Sequence, residues 1–181
     1  MIDKRTAHEP SLRIPLVVRY PGLAAPDKAR VIEQMTLTVD FLPSILEICG
    51  SVAPKKTHGR SWVKLAKGES DPGWRTSFLY HYNYEKQFPY TPNVRAVRTE
   101  RWKFARYPHG DDGADRHKAD LFDLKNDPSE AANLVDDPAH SATVKELDAE
   151  LSRLLKETGA DPDTMPLDEG VKKELPDQKI R

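Results

Sequence analysis

Cysteine is almost absent from this chain: a single residue, Cys49, in 181. One thiol excludes an internal disulfide framework and a cysteine-based zinc site. An excess of charge of either sign is missing too, because 28 Lys and Arg face 29 Asp and Glu, a formal net charge of -1. That balance argues against a general binder of nucleic acid or of an anionic membrane surface, both of which need a basic excess. No apolar run approaches the ~20 residues that span a bilayer. The opening MIDKRTAHEPSLR has no apolar h-region, so no signal peptide is expected in it. Glycine is scarce, 9 residues against 15 prolines, which favours stiff turns. The hydrophobic fraction is low at 38%, yet a chain of this length buries about 70% of its unfolded surface when it folds compactly, so a core is expected.

The pattern along the chain then predicts elements. IPLVVRY (14–20), closed by Pro21-Gly22, is β-branched and almost continuously apolar, the signature of a strand buried on both faces. DFLPSILEICG (40–50) reads as a short helix capped by Asp40 and stopped by Gly50. Leu42, Ile45, Leu46 and Cys49 recur at helical spacing and are expected to face the core. TSFLYHYNY (76–84) is rich in β-formers, VRAVRTERWKFARY (94–107) alternates as two strands around a turn at Thr99-Glu100, and ADLFDL (119–124) is a further strand. In NDPSE, Asp127, Pro128 and Glu130 fit N-cap, N1 and N3 of a helical turn. A longer helix runs from Pro138 to about Thr158, capped by Asp137, ended by Gly159, with Val144, Leu147, Leu151, Leu154 and Leu155 as its apolar stripe. Little packed structure is expected in the polar tail after Gly159. The layout is α/β followed by α+β: a βα piece, then a small antiparallel sheet with one covering helix.

Several clusters invite a chemical reading. Lys4, Arg5, His8 and Glu9 precede the first strand; paired cations there could hold an anion such as sulfate, while spacing alone favours a solvated arm. Arg95, Arg98, Arg101, Lys103 and Arg106 interleave with Trp102, Phe104 and Tyr107. A nucleic-acid stacking platform could use that pattern, but a two-stranded ribbon with one solvated face explains it better. His109, Asp111, Asp112, Asp115 and His117 could bind a metal, although a glycine-containing acidic loop is more often plain loop. DLKNDPSE from Asp123 fails as a calcium loop, since Lys125 and Pro128 occupy ligand and glycine positions. Cys49 reads as a small core residue. Tyr80, Tyr82, Tyr84, Phe88 and Tyr90 could line a sugar-binding cleft or simply pack the sheet around a loop; the two readings stand level.

Five segments in unbroken order carry a resemblance. DKRTAHEPSLRIPLVVRYPG (3–22), TLTVDFLPSILEICG (36–50), HGRSWVKLAKG (58–68), TPNVRAVRTERWKFARYP and DLFDLKNDPSEAANL together resemble the C-terminal part of the sulfatase family, in its N-sulfoglucosamine sulfohydrolase-like or arylsulfatase-like branch. The resemblance implies an alkaline-phosphatase-like core followed by a small sheet subdomain, with boundaries expected at 1–70 for the catalytic-domain remnant, 71–158 for the subdomain and 159–181 for the tail. It implies hydrolysis of a sulfate ester or sulfamate, often on a carbohydrate, by a formylglycine hydrate while calcium holds the sulfate.

By position Lys4 resembles the family's sulfate-contacting lysine, and Arg13 an arginine with a structural role. His8 stands where the family usually has tyrosine, next to the site, and Ser44 where it usually has threonine. His8, Tyr82 and Tyr84 are the expected substrate-binding residues. The formylglycine pattern, Cys or Ser, any residue, Pro or Ala, Ser or Ala, then Arg, is absent: Cys49 is followed by Gly50-Ser51-Val52, and no serine begins the pattern. The metal-ligand segments of the family also have no counterpart in this sequence. The chain is therefore expected to hold no cofactor and to be inactive alone, with calcium and formylglycine belonging to a complete sulfatase. Expected partners are a sulfated carbohydrate and an N-terminal sulfatase half, with no nucleic acid and no membrane. A non-catalytic module for sulfated glycans and a split enzyme are the alternatives. The family is usually exported (periplasmic or extracellular) or lysosomal.

Overall fold

The structure, a computed structural model, describes residues 5–23, 29–88, 91–108 and 119–163. The chain divides into two compact units, residues 1–14 with 77–181, and residues 15–76. These units cut the chain differently from a boundary at residue 70 drawn in sequence order.

The first unit is built on a four-stranded antiparallel sheet in sequential order, β1 (Ser77–Tyr82), β2 (Val94–Thr99), β3 (Trp102–Arg106) and β4 (Asp120–Asp123). The β2–β3 hairpin turns at Thr99-Glu100 as its alternation predicts; Thr99 Oγ1 accepts the Trp102 N–H at 2.9 Å, which closes the turn. Register places Val97 opposite Leu79 and Phe104, and Phe104 opposite Leu121. These side chains form one face of the sheet, packed against Leu147, Leu151, Leu154 and Leu155 of a long helix. That helix is the fourth in the chain, α4 (Ser141–Glu157), entered through a 3-10 turn at Pro138–His140. Its boundaries follow from local chemistry. The Asp137 carboxylate accepts the Ala139 N–H at 2.9 Å, and Gly159 takes φ +73, which only glycine adopts without strain. Each of the four leucines contributes about 1.5–3 kcal/mol on burial.

The opposite face of the sheet carries Val94, Ala96 and Ala105, and is covered by the N-terminal arm. Ala7 joins this cluster, with Leu12, Tyr80, Tyr82 and Tyr107 packed around it. The arm includes one helical turn, α1 (Glu9–Leu12). Both faces of the hairpin are thus covered, which corrects the expectation of a solvated basic face. Arg95 and Lys103 are each 1% exposed, neutralised by segments far away in sequence. Arg95 bonds both Asp163 carboxylate oxygens at 2.7 Å, and Lys103 pairs with Glu130. Asp163 gives the start of the tail a packed role; residues 164–181 lie outside the described residues. NDPSE forms a turn instead of the expected helical turn. The Asp127 carboxylate accepts the Ala132 N–H at 2.9 Å, and Glu130 sits at φ +57.

The second unit contains α2 (Phe41–Ile48) and α3 (Val63–Lys67). Its apolar core is small: Leu23, Trp62, Val63, Leu65 and Trp74. A buried carboxylate does much of the holding. Asp40, with none of its surface exposed, accepts from the Leu37 N–H at 2.7 Å, the Arg60 N–H at 2.8 Å and the Arg75 guanidinium at 2.7 Å. It stands at the start of α2, as expected, but its side chain makes no cap bond into that helix. Ser44, also buried, donates to the Asp40 carbonyl at 2.6 Å and accepts from the Trp62 N–H at 3.1 Å. Gly59 permits this closeness, because a Cβ there would lie 1.9 Å from the Val39 carbonyl oxygen.

Two expectations fail in this part of the chain. Residues 14–20 pair with no strand among the described residues, and Val17 is 92% exposed. The predicted core stripe of α2 also faces outward, with Leu42 at 54% and Ile45 at 55% exposure and Cys49 exposed; Pro43 and Ser44 are the residues buried. In both cases the apolar pattern is real, and no described element covers it.

Candidate functional site

Of the chemistry-bearing residues named by sequence, Arg5, Tyr80, Tyr82 and Phe88 come together where the N-terminal arm crosses the sheet. Sheet order fixes the crossing: β1 and β4 are the two edges. At the β1 edge, the Tyr80 hydroxyl donates to the Arg5 carbonyl at 2.8 Å. The Arg5 guanidinium lies 3.2 Å above the centre of the Phe88 ring, and its Nε is 3.5 Å from the Glu85 carboxylate. Tyr82 follows Tyr80 on the same face two residues along β1. Burial, reinforced by the nearby Glu85 charge, pushes the Tyr82 hydroxyl up to about 12, and burial likewise raises Tyr80. The Tyr80 O–H is committed to the Arg5 carbonyl, and the Tyr82 hydroxyl oxygen is buried. A cation stacked on an aromatic ring beside a carboxylate gives this edge an apolar face and polar handles, the mixture that sugar rings require.

His8 lies elsewhere. Its ring centre is 5.8 Å from that of Phe122 on β4, the far edge, and its Nδ1 is 3.4 Å from the Glu130 carboxylate. Burial and then the Lys103 charge hold its pKa below the ordinary histidine value, against the opposing pull of Asp120. The structure thus brings Tyr82 together with Arg5 and separates both from His8. Tyr84 does not present its ring: it is 9% exposed, and its N–H donates to the Asn93 side-chain oxygen at 2.9 Å in the connection to β2. Lys4, Tyr90 and the loop residues His109, Asp111, Asp112, Asp115 and His117 lie outside the described residues.

Two carboxylates were missed by sequence reasoning. Glu85 sits inside the aromatic stretch, where the rings are the stronger signal. Glu130 has cap spacing, three residues after Asp127, whereas its side chain turns inward to Lys103 and the arm. Among the described residues no group of three or more His, Cys, Asp or Glu side chains could hold a metal ion, so these residues do not fit a calcium site. Among them, too, no helix is long and apolar enough to cross a membrane.

Comparison with known proteins adds an independent line. The family described as "N-sulphoglucosamine sulphohydrolase, C-terminal" matches residues 1–157. The chain is 29% identical to the N-acetylglucosamine-6-O-sulfatase of Bacteroides thetaiotaomicron over 86% of this chain and 26% of that protein. It is 28% identical to an ulvan-active sulfatase of Formosa agariphila, over 87% of this chain and 29% of the relative. Among solved structures, a 2-O GAG sulfatase superposes with a TM-score of 0.65 at 25% identity, covering 76% of this chain and 28% of that one. The chain therefore spans between a quarter and a third of the length of these three proteins.

Proposed function

Because the chain belongs to the N-sulphoglucosamine sulphohydrolase C-terminal family and has the fold of the C-terminal region of alkaline-phosphatase-like sulfatases, we propose that it serves a sulfuric ester hydrolase acting on a sulfated carbohydrate. The match over residues 1–157 carries this reading, and the names of the relatives support the substrate class. In a complete enzyme the Lys4 ammonium contacts a sulfate oxygen and offsets charge that develops on it. Tyr82 and the neighbouring Arg5–Phe88 stack meet the sugar ring. His8, at the other edge of the sheet, acts on the substrate at a separate point. Tyr84 acts by shaping the connection between β1 and β2, since its ring is turned inward.

The sulfur-attacking formylglycine and its calcium belong, in this reading, to a segment outside these 181 residues, on the same polypeptide or a separate one. No step through them is assigned to this chain. The chain alone is expected to lack sulfatase activity, and its site of work in the cell is expected to be an exported or lysosomal compartment. The exposed apolar run at 14–20 supports a cover supplied by such a segment. The experiment is an arylsulfatase and glycan-desulfation assay with calcium supplied. The 181-residue chain by itself is expected to show no turnover, and turnover is expected once a formylglycine-bearing sulfatase segment is added. Activity of the chain alone overturns the proposal. Salt-sensitive binding of sulfated oligosaccharide, with no turnover in either mixture, favours a glycan-binding module.

A further inference from the structure

Arg95 is 1% exposed, so its charge lies inside the sheet unit. Its Nε and Nη2 bond the two Asp163 carboxylate oxygens, both at 2.7 Å. Nη2 also donates to the Asn83 side-chain oxygen at 2.7 Å, while Nη1 donates to the Tyr82 carbonyl at 2.7 Å and the Val94 carbonyl at 3.0 Å. All the N–H donors an arginine possesses are thereby engaged. The bonds to Tyr82 and Asn83 hold the chain where it leaves β1. Those to Asp163 reach a carboxylate that arrives from beyond α4.

The approach of Asp163 is fixed locally. Gly159 takes φ +73 after α4, the Ala160 N–H donates to the Leu155 carbonyl at 2.8 Å, and Ala160 packs against the leucine cluster. The family match ends at residue 157, so this segment lies past it. The exit of β1, in turn, leads to the edge that meets Arg5. Buried Asn93 accepts the Tyr84 N–H. The Phe88 N–H then donates to the Glu85 carbonyl at 2.8 Å, closing the turn that presents Phe88 and Glu85 to the Arg5 guanidinium. A buried guanidinium needs a counter-charge; without Asp163 it is driven toward water and away from Tyr82 and Asn83.

We propose that Asp163 and Arg95 are positioning residues for the sugar-contacting edge. The carboxylate beyond α4 keeps the guanidinium inside the sheet, and the guanidinium fixes the exit of β1 from which Tyr82, Glu85 and Phe88 are presented. An edge ordered before the ligand arrives binds it at a lower entropic cost. This rests on the reading of that edge as the sugar contact.

Asp163→Ala alone strands the buried charge and risks unfolding. Asp163→Ala with Arg95→Met removes both charges together with the bonds to Tyr82 and Asn83. Asn83→Ala removes one bond and leaves the ion pair whole. Both are made in the full chain. Amide exchange across residues 82–88 is expected to quicken roughly tenfold in the double variant and less in Asn83→Ala, with β3 and α4 unchanged as internal references. Affinity for a sulfated disaccharide, followed by NMR titration, is expected to fall about fivefold in the double variant and less in Asn83→Ala. Exchange at 82–88 that stays at the wild-type rate, or rises only in step with β3 and α4, overturns the proposal. An unchanged affinity beside a loosened exit overturns it too. If the double variant does not fold, Asn83→Ala decides by the same readings. Failure of the underlying reading shows separately, as a wild-type chain that binds no sulfated disaccharide or whose affinity Phe88→Ala leaves unchanged; exchange alone then decides whether the clamp holds the exit.

Discussion

In the sheet unit, Val97, Phe104 and Leu121 disappear beneath four leucines of α4 on one face, while the arm covers Val94, Ala96 and Ala105 on the other. In residues 15–76, five side chains form the apolar core, and Val17, Val31, Leu42, Ile45 and Val52 stand exposed. The contrast is one of cohesion. The first unit is held by apolar layers with ion pairs set into them. The second is pinned at one carboxylate, Asp40, and leaves its apolar side chains without a described cover. A hydrophobic pattern reports what a segment is suited to bury, and whether it is buried depends on which other segments meet it.

The sharpest way to break this contrast is to remove the pin. Asp40→Ala strands the Arg75 guanidinium, 10% exposed, and leaves the Leu37 and Arg60 N–H groups without their acceptor; a loss of about 3–5 kcal/mol is expected for such a broken buried pair. Trp62 and Trp74 lie in the second unit and Trp102 in the first, so fluorescence melts of Trp→Phe backgrounds follow each unit separately. The loss is expected in the Trp62/Trp74 signal. Next comes Leu151→Ala, which opens a cavity at a fully buried position beneath the sheet. About 2–5 kcal/mol is expected, in the Trp102 signal. Equal effects on both signals for either variant would contradict the two-unit account.

A smaller effect concerns acid. The Arg101 bond, helped by Asn126, holds the Asp123 carboxyl down at about 2, below the ordinary 3.8. A depressed carboxyl stabilises the fold above its unfolded value and loses that contribution as the pH falls toward the folded value. Asp123→Asn is therefore expected to flatten the acid slope of Trp102 unfolding between about pH 4 and 2 and to leave the slope near neutrality unchanged. The smallest effect is expected from Leu42→Ser with Ile45→Ser, at half-exposed positions of α2. Within about 0.5 kcal/mol of wild type is expected from urea melts, together with less self-association in sedimentation, since exposed apolar surface favours association. A large destabilisation would mean that this face is covered after all.

Elements whose partners are close in sequence were legible. The β2–β3 hairpin and α4 follow from alternation, a 3.6-residue stripe and the Asp137 and Gly159 signals, all local. What escaped was set by distant segments. Arg95 and Lys103 look like a solvated stripe until Asp163 and Glu130 arrive from 68 residues away and from the turn after β4. The 14–20 run has strand composition, but pairing needs a neighbour, which composition does not show. At the site, the aromatic stretch was legible as a cluster, and Tyr82 does meet the arm. The burial of Tyr84, and the bond from its backbone N–H to the Asn93 side chain across the connection to β2, were hidden.

Cys49 closes α2 as an exposed thiol, the chain's single cysteine. That makes it a built-in footprint. Its alkylation rate with a neutral maleimide reads the accessibility of that end of α2 in any mixture, with no engineered handle and no second thiol to confuse the signal. A companion segment that shields α2 would slow the labelling in proportion to its occupancy, so assembly could be titrated by mass spectrometry before any turnover is measured.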